Sequence, residues 1–174
     1  MSAIDDLLAA NASYAEAFPH GDLPPEPARR LVVVCCMDAR IDVLAALGLE
    51  PGEAHILRNA GGIVTEDVLR SIVISQHLLG TQAIAVLHHT RCGAQRFTDA
   101  GLSATIHERT GYTPPFAFGA FEDLDASVLE SLRKLRGSAY LLETSDIRGF
   151  VYDVDTGLLR EVEATDQAAA APGA

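Results

Sequence analysis

Hydrophobic and polar positions fall into two regimes that meet near residue 30. Residues 2–17 (SAIDDLLAANASYAEA) place Ile4, Leu7, Leu8 and Tyr14 near helical spacing, with Ser2 or Asp5 able to cap, which predicts an amphipathic helix. The stretch PHGDLPPEP follows, with four prolines between Pro19 and Pro27. Proline fixes φ and lacks an N–H, so this stretch reads as an extended arm. It either reaches a partner subunit or wraps its own chain.

From Leu31 short apolar runs alternate with helical patterns. LVVVCCM (31–37) is β-branched and uninterrupted, as in a central parallel strand covered on both faces. AHILRNAGG (54–62) reads as a strand ending in a glycine turn, and AIAVLHH (83–89) as a third strand. Residues 65–79 predict a helix with Thr65 as cap, Glu66 and Asp67 at the positive end of its dipole, and Gly80 as stop. A further helix is predicted over 122–136, with Leu124, Val128, Leu129, Leu132 and Leu135 on one face. AYLLE (139–143) and GFVYDVDTGLLREV (149–162) predict later strands, the latter turning at Asp155–Gly157. Residues 164–174 are low in complexity and read as a flexible tail.

This alternation predicts right-handed crossovers and an α/β fold. The expected architecture is an open, mostly parallel sheet flanked by helices, with an N-terminal helix and arm over 1–30, a core over 31–163 and a C-terminal hairpin, all in one domain. In such sheets ligands sit beyond the carboxyl ends of the strands. Chemistry is therefore expected near residues 36–40, 59–62 and 88–93.

Composition narrows the function classes. A chain of 174 residues buries roughly 68–70% of its unfolded surface and needs no disulfide staples. Acids outnumber bases 24 to 13, a net charge of −11 that argues against nucleic-acid binding. The longest apolar run is seven residues, Leu31 to Met37, far short of the roughly 18 of a membrane span. Asp5 and Asp6 stand where a secretory signal is basic, and the three cysteines are too few for a disulfide framework. A cytoplasmic location is expected.

All three cysteines fall at the predicted strand ends: Cys35 and Cys36 end the first strand and Cys92 follows the third, with His89 in a His-x-x-Cys beside Cys92. Two thiolates and an imidazole suit zinc and leave its fourth position open. Alternation sends Cys35 and Cys36 to opposite faces, as it does His88 and His89. Local reach favours His89 with Cys92, while Asp38 and Arg40 share the parity of Cys36. Cys35 then reads as a buried apolar residue and His88 as a packed one. Asp38 can bind the metal as a fourth ligand in a closed state, or pair with the Arg40 guanidinium and leave the metal to water. Ala60, Gly61, Gly62, Ile63 and Val64 are the candidate walls of an apolar substrate slot. Neither the zinc-deaminase pattern nor a phosphate-binding G-x-x-x-x-G-K loop occurs.

CMDAR (36–40), RNAGG (58–62) and HHTRCG (88–93), in this order, resemble the signature segments of the β-class carbonic anhydrases, and the compact bacterial and archaeal branch most closely. The resemblance implies one zinc per chain on Cys36, His89 and Cys92, an Asp38–Arg40 catalytic dyad, and hydration of carbon dioxide to bicarbonate by a zinc-bound hydroxide. It also implies a homodimer in which the N-terminal helix and arm pack on the partner. Relatives with the same motifs hydrolyse carbonyl sulfide or carbon disulfide, which is the first alternative. A zinc-binding regulatory domain without turnover is the second.

Overall fold

The computed structural model describes residues 2–163. The predicted tail, 164–174, lies outside the described residues. Helix α1 spans Ala3–Glu16 and is capped by Ser2, whose hydroxyl accepts from the Asp5 amide while the Asp5 carboxylate accepts from Ser2. None of its residues is buried. Strand β1 (Leu31–Cys36) leads through α2 (Val43–Leu47) to β2 (Ala54–Asn59) and a 3-10 turn, Ala60–Gly62. Helix α3 (Glu66–Leu79) starts on the Thr65 hydroxyl and ends at Gly80 in a left-handed conformation, as its end signals require. Strand β3 (Ala83–His89), helices α4 (Asp99–Thr110) and α5 (Leu124–Arg136), and strands β4 (Ile147–Tyr152) and β5 (Leu159–Glu161) complete the order.

The strands lie in the order β2-β1-β3-β4-β5; β5 alone runs antiparallel, forming a hairpin with β4. The unbroken apolar character of β1 has a direct cause, because both its faces are covered. Val32 and Val34 pack with Val68 and Ile72 of α3 and with Val128, Leu132 and Leu135 of α5. Val33 and Cys35 pack on the other side with Ile41, Val43 and Leu49. Each such side chain contributes about 1.5–3 kcal/mol by leaving water. At Gly149 of β4 a Cβ would come within 2.3 Å of Val128, so α5 lies on the sheet at a distance only glycine permits.

One expectation is corrected. Residues 139–143 form a turn and a bend rather than a strand. Side chains meet several of their backbone groups: Gln76 Oε1 accepts from the amides of Leu142 and Glu143, its Nε2 donates to the Glu143 carbonyl, and His77 Nε2 lies 3.0 Å from the Tyr140 carbonyl. With those groups satisfied from α3, no ladder is needed.

Candidate metal centre

The order β2-β1-β3 reverses direction at β1, so a crevice opens beyond the carboxyl ends of β1 and β3. Cys36 ends β1, His89 ends β3, and Cys92 starts the 3-10 turn Gly93–Gln95. The donor atoms of these three residues lie within 4.8 Å of one another and all three residues are buried. The two sulfurs are 4.0 Å apart. Two thiolates bound at ~2.3 Å to one tetrahedral zinc stand about 3.8 Å apart, so the spacing fits that ion. His89 is wholly buried; its Nδ1 is 2.9 Å from the Thr90 carbonyl, while its Nε2 has no hydrogen-bond partner. An imidazole nitrogen left bare beside two sulfurs, with its other nitrogen anchored, is the usual arrangement of a metal-binding histidine.

Electrostatics agree with this reading. The Cys36 thiol is held well below its ordinary value, first by the contact with Cys92 and also by His89, although burial opposes the shift. Cys92 is pushed up by the same contact and by burial. Burial alone would lower His89, but its contacts with Cys36, the Thr90 carbonyl and Asp38 together raise it.

Asp38 stands at the mouth. Arg40 Nε donates to its Oδ1 at 2.9 Å and Arg40 Nη2 to its Oδ2 at 2.7 Å. That bidentate grip holds the Asp38 carboxyl far below the usual carboxylate range. Asp38 Oδ2 is 3.7 Å from His89 Nε2, so the carboxylate reaches the point where the metal donors converge. Arg40 Nη2 also donates to the Arg91 carbonyl at 3.2 Å. Arg91 has φ +54, rare for a residue with a Cβ, and its guanidinium pairs with Asp155 of the β4–β5 turn. The Thr90 amide donates to the Tyr152 carbonyl and the Thr90 hydroxyl accepts from the Val154 amide, tying the His89–Cys92 loop to the same hairpin.

Other candidates fall into distinct places. Cys35 is fully buried against Val33 and Leu87, and burial pushes its thiol up to about 11. His88 is also fully buried, stacked on Phe121 with ring centroids 5.4 Å apart, and burial pushes it down to about 4. Alternation alone does not sort these pairs. The β1–β3 ladder ends at Cys35 beside Leu87, one step before Cys36 would meet His88. Strict alternation would therefore group His89 with Cys35, yet it is the Cys36 sulfur that lies within 4.8 Å of the His89 and Cys92 donor atoms. Cys36 is the last residue of β1: it stays paired with Asn59 of β2 but lies one step past the β3 ladder, and its sulfur stands 4.0 Å from that of Cys92. Of the slot candidates, Gly61 and Gly62 are buried within the turn, Ala60 is exposed, and Ile63 and Val64 line a cavity of about 450 Å³ with Gly119 and Lys134. Asn59 braces the turn by donating to the Ile63 carbonyl at 2.8 Å. Phe121, which packs on His88 and lies beside Gly61, went unseen in the sequence because its loop carries no periodic signal.

A buried Cys-His-Cys group at a sheet switch point, with a clamped carboxylate beside it, defines a metal-dependent α/β enzyme. The carbonic anhydrase family profile matches residues 31–113. Beta-carbonic anhydrase 1 of Mycobacterium tuberculosis is 46% identical over 162 residues, 93% of this chain and 99% of that protein. The carbonic anhydrase of Streptococcus mutans superposes with a TM-score of 0.89 at 46% identity, covering 94% of this chain and 99% of that one. A carbon disulfide hydrolase of Acidianus is 36% identical over 157 residues, 76% of this chain and 77% of its own. The chain belongs to the β-carbonic anhydrase family.

Proposed function

We propose that the protein catalyses the reversible hydration of carbon dioxide to bicarbonate and a proton, with one zinc held by Cys36, His89 and Cys92. The observation that carries this reading is the convergence of those three donors on one point that an Arg40-clamped Asp38 carboxylate also reaches. When bound, zinc supplies the Lewis acidity that brings the ionisation of water from 15.7 towards ~7. The chain's own residues supply orientation. Asp38, ionised at every working pH, accepts at Oδ2 the hydrogen of the attacking water and so aims an oxygen lone pair at the carbon. Arg40 keeps that carboxylate fixed, and the Gly61–Gly62 backbone with Ile63 offers an apolar resting place for a linear, unhydrated substrate.

Carbon disulfide or carbonyl sulfide is the second reading, supported by the 36% identical hydrolase. Assaying the three substrates side by side on zinc-quantified protein separates the two. Carbon dioxide is expected to be turned over fastest, and Asp38→Ala and Arg40→Ala are expected to lose most of that turnover while keeping their zinc. Carbon disulfide turnover without carbon dioxide hydration would reverse the substrate assignment.

The same reading includes a homodimer. Ile4, Leu7 and Leu8 of α1 are 65–73% exposed, and a helix with its apolar face in water is stabilised by a partner. Three unpaired cysteines suit a reducing, cytoplasmic setting.

A further inference from the structure

Arg58 is the penultimate residue of β2, paired in the ladder with Cys35, and the mechanism above gives it no role. Its guanidinium reaches across the end of β1. Nε donates to the Cys36 carbonyl at 2.9 Å and Nη2 donates to the Asp38 carbonyl at 2.7 Å. These carbonyls belong to the residue bearing a metal-binding sulfur and to the residue bearing the orienting carboxylate.

We propose that Arg58 is a positioning residue for the metal centre, fixing the chain where it leaves β1 so that the Cys36 sulfur and the Asp38 carboxylate face one point. The inference rests on the metal site proposed above. It accounts for a feature that alternation does not. The Cys36 sulfur groups with His89 and Cys92 although the β1–β3 register would set Cys36 beside His88, and Arg58 grips the main chain at that last residue of β1. A guanidinium suits this task because its planar fork presents two donors in fixed geometry to two acceptors two residues apart. Arg40, the last residue of the same segment, takes both Asp38 carboxylate oxygens and the Arg91 carbonyl. The 36–40 segment is thus held by two arginines, Arg58 on its carbonyls and its own Arg40 on the Asp38 carboxylate. The Ile41 amide also donates to the Asp38 carbonyl, at 3.1 Å, so loss of Arg58 frees the Cys36 end more than the Asp38 end.

The test compares wild type, Arg58→Ala and Arg58→Lys as zinc-loaded protein in three measurements: zinc release to a chromogenic chelator, the absorption spectrum of the cobalt-substituted form, and kcat and KM for carbon dioxide. Partners that orient metal ligands typically carry ~10–100-fold in metal affinity or activity. Arg58→Ala is expected to release zinc faster by about that factor, to change the cobalt spectrum, and to lower kcat with KM little changed. Lysine, a single point donor for two carbonyls, is expected to fall between. Millimolar guanidinium ion is expected to restore part of the alanine variant's zinc retention, which a general loss of stability would not allow. Wild-type zinc release and an unaltered cobalt spectrum in Arg58→Ala would overturn the proposal. Should the alanine variant not fold, an Arg58→Lys protein indistinguishable from wild type in both readouts overturns it equally. If wild type binds zinc but does not hydrate carbon dioxide, the functional reading fails, while the release and spectral measurements still decide the role of Arg58.

Discussion

Gly62 gives the most sharply defined mutational prediction. A Cβ added there would lie 2.8 Å from the Cys36 amide nitrogen, 2.9 Å from the Leu87 carbonyl oxygen and 3.0 Å from the Cys35 carbonyl carbon. All are main-chain atoms of β1 and β3, the two central strands, so no side-chain rotation relieves the contact. Gly62 also has φ +68. The positive φ costs alanine about 1–2 kcal/mol, and overpacking against fixed atoms adds about 1–3 kcal/mol. Gly62→Ala is therefore expected to lose about 2–5 kcal/mol of the 5–15 kcal/mol typical of a domain. Gly80 provides the control, since it has φ +69 and no atom within 4 Å of the place a Cβ would take, so Gly80→Ala carries the first cost alone. Urea unfolding followed by far-UV circular dichroism, on metal-free protein so that binding does not shift the transition, reads the difference directly. The Gly62 variant should unfold at clearly lower urea than the Gly80 variant, with unchanged slope. Equal midpoints would refute the close approach of this turn to the sheet.

Cys35→Ser should keep one zinc per chain and lose about 1–3 kcal/mol for placing a hydroxyl in an apolar cluster, whereas Cys36→Ser should lose the metal; metal analysis beside urea midpoints checks both. Deleting residues 1–27 should abolish the proposed dimer in analytical ultracentrifugation, and a soluble dimer of the shortened chain would contradict the role given to α1. Asp99 accepts from the amides of Ala120, Gly119 and Phe118, which hold its carboxyl below the ordinary value. Its stabilising effect is therefore complete above the ordinary carboxylate range and fades as pH falls through the folded value. The gap in melting temperature between wild type and Asp99→Asn should be widest near pH 7 and close on acidification, and a gap independent of pH would remove Asp99 as the latch of that loop.

The sequence carried the sheet and the metal centre because each has a local signature. The β-branched run of β1, the capped and glycine-stopped α3 and the one-sided leucines of α5 all sit where their patterns placed them. What escaped lacks such a pattern. Helix α4 buries none of its residues and so shows no apolar stripe, and the five-residue α2 is too short to be periodic. The apolar AYLLE segment looks like a strand until Gln76, more than 60 residues away, is seen to take its backbone groups. The motifs of the candidate site were legible, but the register that sets Cys35 beside Leu87 and the position of the Cys36 sulfur beside His89 and Cys92 are properties of the fold.

The proposed hydration of carbon dioxide depends on zinc at Cys36, His89 and Cys92. The most direct measurement titrates metal-free protein with zinc and follows the initial rate of carbon dioxide hydration at each addition. The rate should rise in proportion to bound zinc and level off at one equivalent per chain, and protein with His89→Ala should neither retain the ion nor gain activity. Hydration that is independent of zinc, or a full equivalent bound with no hydration, would contradict it.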